Sequence, residues 1–319
     1  MFDQKILTAM LLGHAVGDAV GVPVEFSSRL KLKNNPVTNM RAFGTYNQPA
    51  GTWSDDTSLT VAAMESIARL KKIDYGDIMQ NFADWHGNNK FTANDETFDC
   101  GNTTGAAIRN FLEGNAPLSC GISDEYSNGN GSLMRIFPAA VYIYMTRGNN
   151  FDEDAIDTIH KFSALTHAHK RSFVACVIYC RIAAEIFDGQ NLSSAIHAGF
   201  EKSMDYYSGR SDFSDEVNHY RFFFPENFGA LPEEKINSRG YVVDALKAAL
   251  WCLLNTEDYK SLVLRAVNLG GDTDTIAAIA GGLAGAFYGV ENIPADWLTT
   301  LKKKSYLEKI AADFYQKAA

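Results

Sequence analysis

Apolar residues recur at helical spacing along most of this chain, through 4–22, 56–71, 75–86, 102–113, 132–146 and 152–164. The pattern continues through 169–187, 191–206, 241–254, 258–268, 273–289 and 297–316. Such spacing lays one apolar stripe on each helix, and the alternation that marks half-buried strands is nearly absent. The chain is thereby restricted to an all-α, compact multi-helix fold. Asp74, Asn191 and Thr256 stand just ahead of three segments as expected N-caps. The 319 residues, 46% of them hydrophobic, suffice for one large domain or two ordinary ones. No Pro- or Ser-rich linker divides them, so one domain over 1–319 is expected. Segment 273–289 holds Gly281, Gly282, Gly285 and Gly289, and glycine inside a helix costs about 1 kcal/mol relative to alanine. Close approach of another helix is the expected compensation.

Three stretches, 23–53, 87–101 and 207–240, resist a helical reading and are rich in Gly, Pro, Asn, Asp and aromatics. Loops this long are commonly functional or disordered. The run Tyr220-Arg221-Phe222-Phe223-Phe224-Pro225 is too aromatic for disorder, so 207–240 is expected to pack down as an insertion, a lid or an interface.

A net charge of −9 with no basic cluster argues against nucleic acid as a partner. Met1-Phe2-Asp3-Gln4-Lys5 lacks a signal-peptide layout. The longest apolar stretch, Ile276 to Val290, is too short to span a bilayer and should be a buried core helix. Cys100, Cys120, Cys176, Cys180 and Cys252 are odd in number, form no CxxC pair and fit reduced intracellular thiols. Cys176 and Cys180 share a helix face and read as core packing. A cytoplasmic monomer without membrane contact is the expectation.

Two acidic, hydroxyl-bearing clusters lie far apart: Gly51-Thr52-Trp53-Ser54-Asp55-Asp56-Thr57 and Gly270-Gly271-Asp272-Thr273-Asp274-Thr275. Each opens a helical run, where one carboxylate suffices to cap orphan N–H groups and suit the helix dipole. Two acids with flanking hydroxyls exceed that need. If the fold brings the clusters together, four carboxylates and two or three hydroxyls converge, and such a group needs cations. All-oxygen ligation favours Mg²⁺ or Mn²⁺, and two ions about 3.5–4 Å apart form an arrangement used in hydrolysis. Between the clusters, Asn128-Gly129-Asn130-Gly131-Ser132-Leu133-Met134-Arg135 precedes a helical pattern, where bare N–H groups could receive a phosphate. The alternative is a flexible turn.

These clusters, together with Gly17-Asp18-Ala19-Val20-Gly21-Val22-Pro23-Val24-Glu25, Phe98-Asp99-Cys100-Gly101-Asn102-Thr103-Thr104 and Thr166-His167-Ala168-His169, resemble the ADP-ribosylglycohydrolase family. That family includes the dinitrogenase-reductase-activating glycohydrolases and the ARH-type hydrolases. The motifs keep the family's order from about residue 5 to 290. The resemblance implies an all-α fold with a central di-metal cleft, and release of ADP-ribose from a modified side chain, often arginine. It implies metal ligands at Ser54, Asp55, Asp56, Asp272, Asp274 and Thr275, with serine at position 54 where the family commonly has threonine. Segment 207–240 matches no family motif.

The resemblance also places Glu25 beside the metals as a general acid/base or gating group, against the plain alternative of a solvated surface glutamate. It places Asp99 near the scissile ribose and the acceptor, against a role as helix cap. It puts His167 near bound ADP-ribose, against a buried structural histidine, and it assigns the substrate to a surface including Asn128, Gly129, Asn130, Gly131, Ser132 and Met134. His167 and His169 form an HxH pair, yet no third nitrogen or sulfur ligand stands at zinc spacing. Asp18 reads as structural, bonded to a neighbouring loop. The expected partners are an ADP-ribosylated protein or a small ADP-ribose conjugate. The competing functions are a catalytically silent, crystallin-like binding protein and a hydrolase of small nucleotide conjugates.

Overall fold

A computed structural model of the chain describes residues 2–223 and 228–318. It begins with α1 (Gln4–Gly21), the short α2 (Arg29–Asn34), α3 (Asp55–Leu70), α4 (Tyr75–Asn88) and α5 (Asn102–Leu112). There follow α6 (Phe137–Arg147), α7 (Glu153–Ala164), α8 (Lys170–Phe187), α9 (Leu192–Ser208) and α10 (Ser214–Asn218). The remainder is α11 (Val242–Leu254), α12 (Tyr259–Asn268), α13 (Thr273–Tyr288), α14 (Ala295–Thr300) and α15 (Lys304–Lys317). Among the described residues no strand forms, only isolated bridges such as Gly129 with Tyr241.

The central pair is α1 against α13, antiparallel and in backbone contact. A Cβ added at Gly17 would lie 2.2 Å from the Ala277 carbonyl oxygen, and one at Gly13 would lie 2.4 Å from that of Gly281. Glycine is required on both sides of this contact, which accounts for its cost within a helix. At the end of the stripe Gly21 meets Asp274, with only 2.3 Å between its added Cβ and the Asp274 Cα. The α1 exit and the α13 start are therefore pressed together, and both carry acids. By length and composition α1 could cross a bilayer, but 89% of its most apolar window is buried inside the protein. It is a core helix, like α13.

Several boundaries differ from the sequence pattern, each for a physical reason. The helix read from 132 starts at Phe137, because Pro138 belongs to a first turn and residues 131–135 form turns. The segment 297–316 is two helices. Between them, Lys302 donates its N–H to the Gly51 carbonyl and accepts from the Trp53 indole, a tertiary contact that breaks the pattern. Asp258, not Thr256, caps α12, and the Thr256 hydroxyl donates to Cys252 instead. The six-residue α2 inside 23–53 is too short to show periodicity. In 207–240, Tyr220 is fully buried and its hydroxyl donates to the Arg171 carbonyl, while Trp251 donates its indole N–H to Leu231. The segment is fastened to α8 and α11; Phe224 and Pro225 lie outside the described residues.

Candidate active site

The two acidic clusters meet. The Thr275 hydroxyl donates to Asp56 Oδ2 at 3.2 Å, joining residues 219 positions apart. Oxygens of Asp18, Asp56 and Asp274 lie within 4.8 Å of one another, and so do those of Glu25, Asp99 and Asp274. Asp55, Asp56, Asp274 and Glu25 are buried, whereas Asp99 and Asp272 are half-buried. Glu25 is not a solvated surface acid. It follows a tight turn at Val22–Val24, and Thr45 ties down its carbonyl.

Capping does not explain these acids. The cap of α3 is Ser54, whose hydroxyl accepts the Asp56 N–H and donates to Asp56 Oδ2. Asp272 occupies the N-cap position of α13 without a side-chain capping bond. Its carboxylate instead accepts from the Asn130 side-chain amide at 2.8 Å. Asp99 does not cap α5 either; Gly101 stands there. Asp99 adopts φ 54°, a left-handed conformation uncommon outside glycine and found preferentially at functional positions.

Asp18 holds the first cluster in place. Its carboxylate accepts from the Ser54 N–H at 2.9 and 3.1 Å, the Thr57 N–H at 3.1 Å and the Thr57 hydroxyl at 2.6 Å. Even with those donors, burial lifts its carboxyl to about 7.

The electrostatics show a site short of positive charge. Burial, then the charge of Asp99, raises Glu25 to about 9, with the Tyr46 hydroxyl pulling the other way. Burial raises Asp55, Asp56 and Asp274 well above the usual carboxylate range, and raises Asp99 and Asp272 as well. Among the described residues, no lysine, arginine or histidine forms an ion pair with any of these acids. Glu25 Oε2, Asp56 Oδ1, Asp272 Oδ1 and Asp274 Oδ2 are buried without a hydrogen-bond partner. Buried carboxylate oxygens left this way require cations or protons. An all-oxygen donor set with orphaned lone pairs fits hard divalent ions.

The glycine turn adjoins this centre through Asn130. His167 is buried behind it, and a Cβ on Gly131 would come within 2.7 Å of the His167 ring. The Thr166 hydroxyl must accept from Arg135, which can only donate, so its own proton goes to His167 Nδ1 at 2.8 Å. The network thus assigns the ring proton to Nε2, on the side of Gly129 and Gly131. Burial drives the imidazole down to about 3, so it is neutral. Two expectations for the turn need correction. The Asn130 N–H is not bare, since it donates to the Gly240 carbonyl at 2.9 Å. Ser132 is fully buried with its hydroxyl on Ser163, because the turn directs that side chain into the core. Met134 is buried as well, and Asn128 is held by its amide to the Glu125 carbonyl. His169 caps α8 through Nδ1, and its Nε2 faces Glu125 Oε2 at 3.5 Å and Glu216 Oε1 at 3.9 Å.

Tyr46 is a site residue that the pattern did not reveal. Its half-buried hydroxyl touches Glu25 and Asp99 while its ring packs 5.1 Å from Phe98. It sits in a short turn with no motif to single it out.

Fold and site together define an all-helical protein built around a buried, multi-carboxylate centre suited to hard cations. The chain belongs to the ADP-ribosylglycohydrolase family, whose model matches residues 3–319, and whose members are hydrolytic enzymes. It is 32% identical to the ADP-ribosyl-[dinitrogen reductase] glycohydrolase of Rhodospirillum rubrum, over 92% of this chain and 89% of that one. It is 29% identical to the ADP-ribosylarginine hydrolase Tri1 of Pseudomonas putida (strain GB-1), over 97% of this chain and 77% of the relative. A solved ADP-ribosylglycohydrolase-related protein complex superposes with a TM-score of 0.80 at 29% identity, covering 99% of both chains.

Proposed function

We propose that the chain hydrolyses the N-glycosidic bond of ADP-ribosylated substrates, ADP-ribosyl-arginine in first place, and releases ADP-ribose. The observation that carries this reading is the convergence of Glu25, Asp55, Asp56, Asp99, Asp272 and Asp274 on one centre, four of them with an orphaned buried oxygen and none, among the described residues, in an ion pair with a protein cation. The names of the relatives support the bond and the acceptor. Ser54, Asp55, Asp56, Asp272, Asp274 and Thr275 are the residues that would hold two Mg²⁺ or Mn²⁺ ions. Bound there, such ions supply a water of lowered pKa and a fixed grip on ribose hydroxyls.

The remaining steps fall to the chain's own groups. Scission of an N-glycoside develops oxocarbenium character at the anomeric carbon, which buried carboxylates stabilise electrostatically. Glu25 or Asp99 manages the proton at the leaving nitrogen, a contribution of typically 10²–10⁴-fold. Glu25 is the better placed of the two, being buried with its oxygens within 4.8 Å of those of Asp99 and Asp274. The Gly129–Gly131 turn, apart from the Asn130 N–H, presents donors to the pyrophosphate, with His167 packed behind it. All five thiols are unpaired, which supports action in the cytoplasm; a monomer suffices, since every group named comes from one chain.

The test is hydrolysis of ADP-ribosyl-arginine by protein stripped with a chelator. Activity should vanish, return with Mg²⁺ or Mn²⁺, and stay lost with Zn²⁺, whose preference is for nitrogen and sulfur in tetrahedral geometry. Full activity in excess chelator would sink the metal assignment. Turnover of small ADP-ribose conjugates but not the arginine adduct would move the acceptor assignment, and ADP-ribose binding without any turnover would leave a silent binding protein.

A further inference from the structure

Segment 233–240 belongs to the stretch that no motif explains, yet it touches both halves of the site. The Ser238 carbonyl accepts the Asp272 N–H at 2.9 Å, and the Gly240 carbonyl accepts the Asn130 N–H at 2.9 Å. Asn130 in turn donates its side-chain amide to Asp272 Oδ2. An added Cβ at Gly240 would stand 3.1 Å from that same oxygen. The segment is therefore a strut between the second acidic cluster and the glycine turn.

One side chain fixes the strut. Arg29, in the first turn of α2, donates from Nε to the Leu269 carbonyl at 2.8 Å and from Nη1 to the Glu233 carbonyl at 2.7 Å. Its Nη2 donates to the Ile236 carbonyl at 2.5 Å and to the Ser238 hydroxyl at 3.3 Å. Among the described residues it makes no ion pair. A rigid fork of donors spread over three separate carbonyls is a use that only guanidinium geometry allows; a lysine ammonium cannot span them. The same loop carries Glu25: the Phe26 N–H donates to the Gly271 carbonyl at 2.7 Å, and the Gly271 N–H donates to the Ser27 carbonyl at 2.9 Å. Arg29 thus gathers the Glu25 loop, the approach to Asp272 and the strut around one charge.

We propose that Arg29 is a positioning residue for the active site, acting through Ser238 and the strut to hold Asp272 and Asn130 in their working geometry. This rests on the reading of Asp272 as a metal ligand. Partners that orient metal ligands typically contribute 10–100-fold in metal affinity or activity.

The test is calorimetric titration of Mn²⁺ and of ADP-ribose into chelator-stripped Arg29→Ala, Arg29→Lys and Ser238→Ala proteins, alongside melting temperatures. Arg29→Ala should weaken Mn²⁺ binding by about tenfold or more, and Arg29→Lys should fail to restore it. Combined with Asn130→Ala, the losses in Mn²⁺ affinity should be clearly less than additive, because both residues act on Asp272 through one hydrogen-bond network. Should Arg29→Ala not fold, Arg29→Lys and Ser238→Ala carry the same comparison. Wild-type affinity in the variants, or affinity losses that simply add, overturns the proposal. If wild-type protein itself fails to bind Mn²⁺, the metal reading has failed instead.

Discussion

Replacing Asp274 with asparagine should move apo stability and metal response in opposite directions. Asp274 is buried, with Oδ1 accepting the Thr275 N–H and Oδ2 unpartnered. Its oxygens share 4.8 Å groupings with those of four other acids, Glu25, Asp99, Asp18 and Asp56. At an effective dielectric constant of about 20, two unit charges at that separation repel by about 3 kcal/mol. The metal-free protein escapes part of this by retaining protons, which leaves about 1–3 kcal/mol to be gained at pH 8 from removing one charge. Apo Asp274→Asn should accordingly melt a few degrees above the apo wild type. With metal the sign reverses. Ions at a hundred times their dissociation constant stabilise a protein by about 2.7 kcal/mol, and a hundredfold loss of affinity cuts that to about 0.4 kcal/mol. Differential scanning calorimetry in chelator and in Mn²⁺ reads both effects. Unchanged melting in both conditions would mean that Asp274 neither crowds its neighbours nor holds a cation, and would falsify the cation-site reasoning.

Four further outcomes follow from the same geometry. Glu25 and Asp18 have folded values raised to about 9 and about 7, above their unfolded values; their stabilising protons are fully held below about pH 4 and lost as pH rises toward 9. Melting of chelator-treated protein should therefore fall between pH 5 and pH 9, and a rise over that range would contradict the crowding of acids. Glu25→Gln should lower kcat by about 10²–10⁴-fold with ADP-ribose affinity little changed, read by steady-state kinetics beside product binding; weakened binding at unchanged kcat would make Glu25 a positioning group. Gly131→Ala drives a Cβ to 2.7 Å from the His167 ring and should cost about 1–3 kcal/mol of stability together with ADP-ribose affinity; wild-type binding would remove the turn from the ligand site. Gly17→Ala meets the Ala277 backbone at 2.2 Å, which cannot yield as a side chain can, and soluble protein of wild-type melting temperature would refute the packing account.

The sequence by itself determined the all-α class, the helices and most of their limits, because those are set by apolar spacing and by caps such as Asp74 and Asn191, interactions that reach three or four residues. It also supplied both acidic clusters as more oxygen than capping uses. Only the tertiary structure decided that the clusters meet, through Thr275 and Asp56, and that Glu25 is buried against Asp274 rather than solvated. It alone brought in Tyr46, the break between α14 and α15, and the fastening of 233–240 by Arg29, whose acceptors lie 204 to 240 residues further along the chain. No local pattern encodes such contacts. They exist because the glycine stripe of α1 lets α13 close to backbone distance, so that the ends of distant segments are forced to share one centre.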